Sequence, residues 1–175
     1  MTMYMAKVSV DTSELKRWAK KLENLAEKEL DSFLMESARM LAAEFIQRVQ
    51  ERTPVGDYPD KIEFTTKDGK AVSFDNPVAG KQGGHLKNSW KMGSMKKTGD
   101  GYEIEIFNDA SNGGEVYASD VEYGHRIMNK KGGPVKGFQK GVFMMKHTEI
   151  EMAFVAPELL EKKLEEFLRR GIGDG

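Results

Sequence analysis

Histidine and carboxylate side chains occur in two groups whose spacing could support chemistry. In the first, His147 and Glu151 stand four residues apart, and two such side chains on one helix face can hold a metal ion. However, His147 also falls on an apolar stripe, and no third ligand lies nearby in the sequence. A packed or half-exposed histidine is therefore the better interpretation, and we predict neither a metal site nor a bound cofactor.

The second group comprises Asp120, Glu122 and His125. On a strand, Asp120 and Glu122 would share one face and His125 would begin the next turn, which permits an acid–base pair. No nucleophile motif accompanies them, and the alternative is a solvated strand edge followed by a glycine turn. Because the chain contains no cysteine, thiolate chemistry and disulfides are excluded as well. We predict that the protein has no catalytic residues and is not an enzyme.

The composition is that of an ordinary globular protein. The 175 residues suit a single domain over 1–175, with 39% hydrophobic and 31% charged residues. No apolar run approaches the roughly 20 residues needed to cross a bilayer, so no membrane partner is expected. The net charge of -1 excludes a global attraction to nucleic acid, and any charged partner must be bound through a local patch.

Positive charge is concentrated in two stretches that lack acidic residues, from Asn76 to Gly99 and from Gly124 to Thr148. The second contains the predicted partner-contact residues, which are Arg126, Lys130, Lys131, Lys136, Phe138 and Lys140. The basic side chains of these two stretches could be solvated loop residues, or they could contact an acidic protein surface or DNA phosphates. Since only Phe138 and Phe143 interleave with them, a base-stacking platform has weak support. We favour an acidic partner protein or a transient DNA contact.

The spacing of apolar residues predicts a helix at each end of the chain. After a short strand over Met5 to Val10, apolar steps of three and four residues predict one long helix, or two with a bend near 26–30, which ends at Thr53-Pro54. Near the other end, Phe143, His147, Ile150 and Phe154 recur at helical spacing. Pro157 suits the first turn of a last amphipathic helix.

Strand and loop signals fill the middle of the chain. Alternating residues around a Lys67–Lys70 turn predict a β-hairpin inside an inserted segment, 55–84. Tyr102, Ile104 and Ile106 alternate with glutamates and define the clearest strand, and a further strand is predicted over Val116 to Tyr123. The glycine- and lysine-rich segment 127–141 is predicted to be a flexible basic loop. The expected fold class is α+β, with an antiparallel sheet packed with a long N-terminal and a C-terminal helix.

Three motifs occur in an order that resembles a known protein family. They are Glu51-Arg52-Thr53-Pro54-Val55, then Gly84-His85-Leu86-Lys87-Asn88-Ser89-Trp90, and then Tyr117-Ala118 through Val121-Glu122-Tyr123-Gly124. This succession is similar to the tail-component family of long-tailed bacteriophages, which includes head–tail joining (tail-completion) proteins. The later Gly137-Phe138 to Met144 segment and the closing helix resemble a branch from phages and prophages of Gram-positive bacteria.

The resemblance implies a virion structural protein assembled in the host cytoplasm. Its copies would form a ring, with six copies expected, and would dock to connector and tail-tube proteins. The motif residues would serve as scaffold, namely Thr53, Pro54, Leu86, Trp90, Tyr117, Glu122, Tyr123 and Gly124. The sequence departs from the family where the compact link between Val55 and Leu86 is stretched by the predicted hairpin. The alternative function is a small nucleic-acid-binding protein that uses the basic loops.

Overall fold

Helices and short antiparallel strands alternate along the chain, in a computed structural model that describes residues 5–9, 16, 27–77, 79–99, 101–128 and 133–173. The helices are α1 (Glu27–Arg52), α2 (His85–Asn88), α3 (Ala118–Tyr123) and α4 (Met144–Gly173). The strands are β1 (Met5–Ser9), β2 (Lys61–Thr65), β3 (Ala71–Asp75), β4 (Trp90–Thr98), β5 (Gly101–Asn108), β6 (Ser111–Asn112), β7 (Glu115–Val116), β8 (Gly124–Met128) and β9 (Val135–Lys140). The apolar positions Leu15, Trp18, Leu22 and Leu25 of the predicted first helix lie outside the described residues.

Helix α1 forms the centre of the core. It packs against β4, β5 and α4, and Ala38, Phe45 and Val49 on its inner faces are almost completely buried. From Glu29 to Glu51, the exposed residues of α1 recur every third or fourth position, so they form one stripe along the helix. The helix ends where Pro54 follows Thr53, because the residue before proline is disfavoured in the α region.

The main sheet has three antiparallel strands in the order β1-β5-β4. Central strand β5 buries Tyr102, Ile104 and Ile106, while the glutamates between them are half-buried on the other face. This alternation confirms the strand predicted from the sequence, because successive strand side chains point to opposite faces. Edge strand β4 contains an irregularity between Met92 and Met95.

Helix α4 packs antiparallel to α1, with contacts that run from Glu151 to Phe167 of α4. The rings of Phe33 and Phe167 lie 4.7 Å apart at one end, and Lys163 bonds Glu36 nearby. At the other end Glu151 of α4 meets Arg48 of α1. The predicted fold class, α+β with an antiparallel sheet and two long terminal helices, is therefore confirmed.

Two predictions of local structure are wrong. Val116 to Tyr123 was predicted as a strand, but residues Ala118–Tyr123 form helix α3, which buries Ala118 and Glu122 at i and i+4. The segment 127–141 was predicted as a loop, but most of it belongs to the antiparallel hairpin β8–β9. Of the glycines of this segment that the structure describes, Gly137 lies within β9, and Gly133 and Gly141 lie on either side of that strand. The flexibility of this segment stays a prediction.

Helix α4 also differs from its prediction in two respects. It is continuous from Met144 to Gly173 with Pro157 inside it, whereas Pro157 was expected to begin a separate helix. In addition, its buried stripe begins with Met144, Thr148 and Met152, while Ile150 and Phe154 are exposed. The reason is that this segment carries two apolar stripes. The methionine stripe is the one that faces α1.

The inserted segment 55–84 contains the predicted hairpin, formed by β2 and β3. The two ends of the insertion meet, because a β-carbon added at Gly83 would overlap the carbonyl oxygen of Gly56. Just inside this neck, the Asn76 side chain donates to the Pro59 carbonyl at 2.8 Å. The insertion therefore leaves and re-enters the core at one point.

Candidate assembly surface

Thr53 and Trp90 join the first two motifs by a buried hydrogen bond. Trp90 donates from Nε1 to Thr53 Oγ1 at 2.8 Å, and the Thr53 hydroxyl donates to the Val49 carbonyl at 2.6 Å. Thr53 thereby satisfies an indole N–H that would otherwise be costly to bury, and it also caps a carbonyl at the end of α1. Pro54, beside it, is exposed and acts through the backbone.

Helix α2 fixes the second motif against the end of β5. Leu86 is buried in the core, and its carbonyl accepts a hydrogen bond from Asn108 Nδ2 at 2.8 Å. At the surface, His85 Nδ1 and the Tyr117 hydroxyl lie 3.1 Å apart, which connects the second motif to the third. Burial raises the pKa of the Tyr117 hydroxyl, and the neighbouring Tyr58 of the insertion raises this pKa further.

Glu122 is the cap of helix α4. Its carboxylate is buried, with the residue 2% exposed, and it accepts the backbone N–H groups of Met145 at 3.0 Å and Lys146 at 3.2 Å. These are first-turn N–H groups that have no partner within the helix, and a negative charge at this end is favoured by the helix dipole. The glutamate considered for acid–base chemistry therefore has a structural role.

The residues after Glu122 close the neck of the β8–β9 hairpin. Gly124 has φ +88°, and a β-carbon there would overlap the Gln139 carbonyl, so only glycine fits. Beside it, Phe143 N–H donates to the Glu122 carbonyl at 3.0 Å, and the rings of Tyr123 and Phe143 meet edge to face. This hairpin, like the insertion, is attached to the core at a single point.

The predicted partner-contact residues lie on this hairpin as far as the structure describes them. Arg126 is directly opposite Phe138, and Lys140 is opposite Gly124, so these three side chains share one face. Lys136 is the extra residue at the irregularity between Ile127 and Met128. Lys130 and Lys131 lie outside the described residues.

The inserted hairpin carries an apolar face. Its register pairs Ile62 with Phe74 and Phe64 with Val72, which places all four side chains on one side. The two phenylalanine rings contact each other edge to face at 6.4 Å, yet both residues remain about half exposed. Among the described residues, no other helix or strand packs extensively on this face.

A third exposed apolar surface lies on α4 and was missed by the sequence interpretation. Ile150 is 50% exposed and Phe154 is 76% exposed. The sequence signal was present, because the segment has apolar residues on more than one face, but that pattern alone does not say which face is covered. This stripe, the inserted hairpin and the β8–β9 hairpin make up the candidate assembly surface.

The two glutamates considered for metal or acid–base chemistry, Glu151 and Glu122, have other partners. Glu151 is not paired with the exposed His147, since its two carboxylate oxygens bind Arg48 and Arg52 of α1. Glu44, four residues before Arg48 on α1, also bonds it. Within the described ranges, no group of three or more histidine and carboxylate side chains is placed to hold a metal ion.

The fold is a core of helices and a sheet that the motif residues brace, with two hairpins that leave it. The chain belongs to the phage family described as "Bacteriophage HK97-gp10, putative tail-component", which it matches over residues 16–124, more than half of its length. The family resemblance inferred from the motifs is thereby confirmed, as is the general role of phage tail component.

Other comparisons add nothing to this family membership. Searches among curated proteins and among solved structures find no match to the chain. None of the described helices combines the length and apolar character that a membrane crossing requires.

Proposed function

We propose that this protein is a tail-completion or head–tail joining subunit. Six copies would close into a ring at the tail end or neck and dock to the connector and tail-tube proteins. The observation that carries this proposal is that both hairpins leave the core at closed necks and expose large apolar side chains. A monomeric protein rarely shows such patches unless they bind something, and membership of a tail-component family supports a virion partner.

The proposed division of labour follows from where the motifs lie. The Thr53–Trp90 bond and the Glu122 cap hold the core, and the hairpins make the contacts. Arg126, Lys136, Phe138 and Lys140 would contact an acidic protein surface, together with Lys130 and Lys131 of the same acid-free stretch. The role is structural rather than catalytic, and assembly would take place in the host cytoplasm before the protein enters the virion.

A genetic experiment tests the proposed function. Phage with a stop codon in this gene should accumulate heads and tails that do not join, and the purified protein should restore joining in a mixed extract. Phe138→Asp should fail to restore it, whereas Arg39→Ala, a change at an exposed position of α1, should succeed. Normal joining without the protein would refute the proposal.

A transient contact with DNA is the remaining part of the proposal. The proposed DNA contact is motivated by the basic side chains near Phe138. It requires that the protein bind double-stranded DNA with an affinity that falls steeply as the salt concentration is raised. A mobility-shift measurement at low ionic strength decides this point. If no complex forms, the cations serve protein contacts only, and the alternative function as a nucleic-acid-binding protein is excluded.

A further inference from the structure

The outer face of α4 is apolar along its middle, although it faces solvent. Ile150, Ala153, Phe154 and Pro157 occupy positions i, i+3, i+4 and i+7 of one helix face, and all are exposed. A phenylalanine that is 76% exposed leaves most of its apolar area in water, which is unfavourable in the isolated chain. Such a stripe on one helix is suited to being covered by a partner.

Acidic side chains lie beside this stripe, mainly toward the C-terminal end of α4. Between Glu149 and Glu166 the exposed charged residues of α4 are five glutamates and one lysine, namely Glu149, Glu158, Glu161, Glu165, Glu166 and Lys162. Of these, Glu149 is paired with Lys146, 3.6 Å away. Glu151 and Lys163 are excluded from this set because they bind residues of α1. The partner that covers the stripe should therefore be apolar in its centre and positive at its rim.

The β8–β9 hairpin has these properties. Phe138 is 60% exposed, Val135 is 54% exposed and Met128 is 45% exposed. Arg126 and Lys140 flank Phe138 on the same face, and the described part of the hairpin contains no acidic residue. Apolar centre and basic rim are thus complementary to the α4 stripe.

The two surfaces also match in spacing. Ile150 and Phe154 are one helical turn apart, which is about 6 Å along the axis. On the hairpin, the Arg126–Phe138 pair and the Met128–Val135 pair are two residues apart, which is about 7 Å along a strand. Pro157 has no N–H to donate to the Ala153 carbonyl, so this oxygen can accept a hydrogen bond from a basic side chain of the partner.

We infer that the outer face of α4 in one copy binds the β8–β9 hairpin of a second copy of this chain. The inference rests on the proposed ring assembly and names the contact that would build it. The chain has a net charge of only -1, yet it separates positive and negative charge onto these two apolar surfaces. A protein with two such complementary surfaces is its own partner.

The contact is directional, and this has a consequence for assembly. Because the two surfaces are different, each copy donates its hairpin to one neighbour and receives a hairpin from another. Contacts of this kind close into a ring when the rotation between copies allows it. Hairpin-to-hairpin pairing, by contrast, would give only a dimer.

Cysteine cross-linking tests the inference directly, because the chain has no cysteine of its own. Purified Phe138→Cys protein is mixed with purified Phe154→Cys protein under mild oxidation. The mixture should give a disulfide dimer that neither variant gives alone. A mixture of Phe64→Cys with Phe154→Cys is the matched control, since Phe64 is an exposed phenylalanine on the other hairpin.

The alternative outcomes each overturn the inference. Equal dimer from Phe138→Cys alone would show hairpin-to-hairpin pairing, and dimer no greater than in the control would show no specific contact. In the variant that carries both cysteines, cross-linking should give multimers. A disulfide within a single chain would show instead that the helix is covered by its own hairpin.

Charge exchange provides a second measurement. Lys136→Glu with Lys140→Glu should weaken self-association about tenfold, and so should Glu158→Lys with Glu161→Lys. Mixing the two double variants should restore association, because the hairpin of one then matches the helix of the other. If head–tail joining needs the gene but mixing the charge variants restores no association, the contact between hairpin and helix is wrong and the proposed function stands. If the cross-link forms but phage assembly does not need the protein, the proposed function is wrong and the contact stands.

Discussion

Single buried polar side chains carry much of the specificity of this fold. Glu122 and Thr53 are both nearly inaccessible to solvent, and each satisfies donors from a different part of the chain. A buried donor that loses its acceptor costs more than the bond itself contributes, because its desolvation is no longer compensated. The motif residues therefore stabilise the fold by keeping buried hydrogen-bond donors paired with acceptors.

Replacing Glu122 by alanine should lower the free energy of unfolding by about 1–3 kcal/mol, because two N–H groups at the start of α4 lose their acceptor. Urea unfolding followed by circular dichroism measures the loss. Asp120→Asn is the control, since Asp120 is exposed on the same short helix. Equal stability of the two variants would contradict the capping role.

The Thr53–Trp90 pair should behave as a coupled unit. Thr53→Val leaves the indole N–H of Trp90 buried without its acceptor and should cost about 1–3 kcal/mol. Adding Trp90→Phe removes the orphaned donor, so the double variant should lose less than the sum of the single variants. Strict additivity in denaturant unfolding would show that the bond contributes nothing.

Asp31 should give the protein a dependence on acid pH. Its pKa is lowered by hydrogen bonds from the side chains of Lys97 and Tyr102. Because the folded pKa lies below the unfolded one, the stabilisation is complete above the ordinary aspartate pKa and is lost as the pH falls through the folded value. The stability difference between the native protein and Asp31→Asn should therefore disappear in acid. A difference that is constant with pH would contradict this prediction.

At the scale of elements, the insertion should be dispensable for folding. Its ends meet at Gly56 and Gly83, so residues 57–82 can be replaced by two glycines without moving either flank. A shorter loop costs slightly less closure entropy, and thermal melting should stay cooperative with a midpoint within about 5 °C of the original. A Gly-Ser insertion of equal length is the control. An unfolded or aggregated deletion variant would show that β2–β3 supports the core.

The sequence predicts the helices and strands better than it predicts the contacts that their side chains make. Long periodic stretches such as β5 and the described part of the first helix, α1, were predicted correctly, since the spacing of their apolar residues distinguishes strand from helix. Val116 to Tyr123 was predicted wrongly because alternation and helical spacing cannot be told apart over so few residues. The role of Glu122 could not be predicted, because its partners lie 23 and 24 residues away.

The α4 surface shows a different limit of sequence analysis. Periodicity locates the helix, but Ile150 and Phe154 look as suitable for the core as Met144 and Met152 do. Only the packing of α1 selects the methionine stripe. A helix that is apolar on two faces therefore indicates a second binding surface, once the face that packs in the core is known.

For the molecule as a whole, self-association should weaken with ionic strength. The proposed contact joins a basic hairpin rim to an acidic helix rim, and exposed charges are screened by salt. Sedimentation velocity of the full chain at increasing salt should show a shift from larger species to monomer. Association that strengthens steadily with salt would show that apolar burial alone drives it.

The closed necks of the two hairpins also have a consequence for the gene. Each hairpin is encoded by one uninterrupted run of codons, and the two ends of the encoded segment lie close together in the fold. A single recombination event can therefore replace a whole hairpin, or arm, and leave α1 and α4 unchanged. With the docking role proposed above, related phages would exchange docking specificity as short cassettes. A chimera that carries a foreign arm between Gly56 and Gly83 should keep its fold and change its partner.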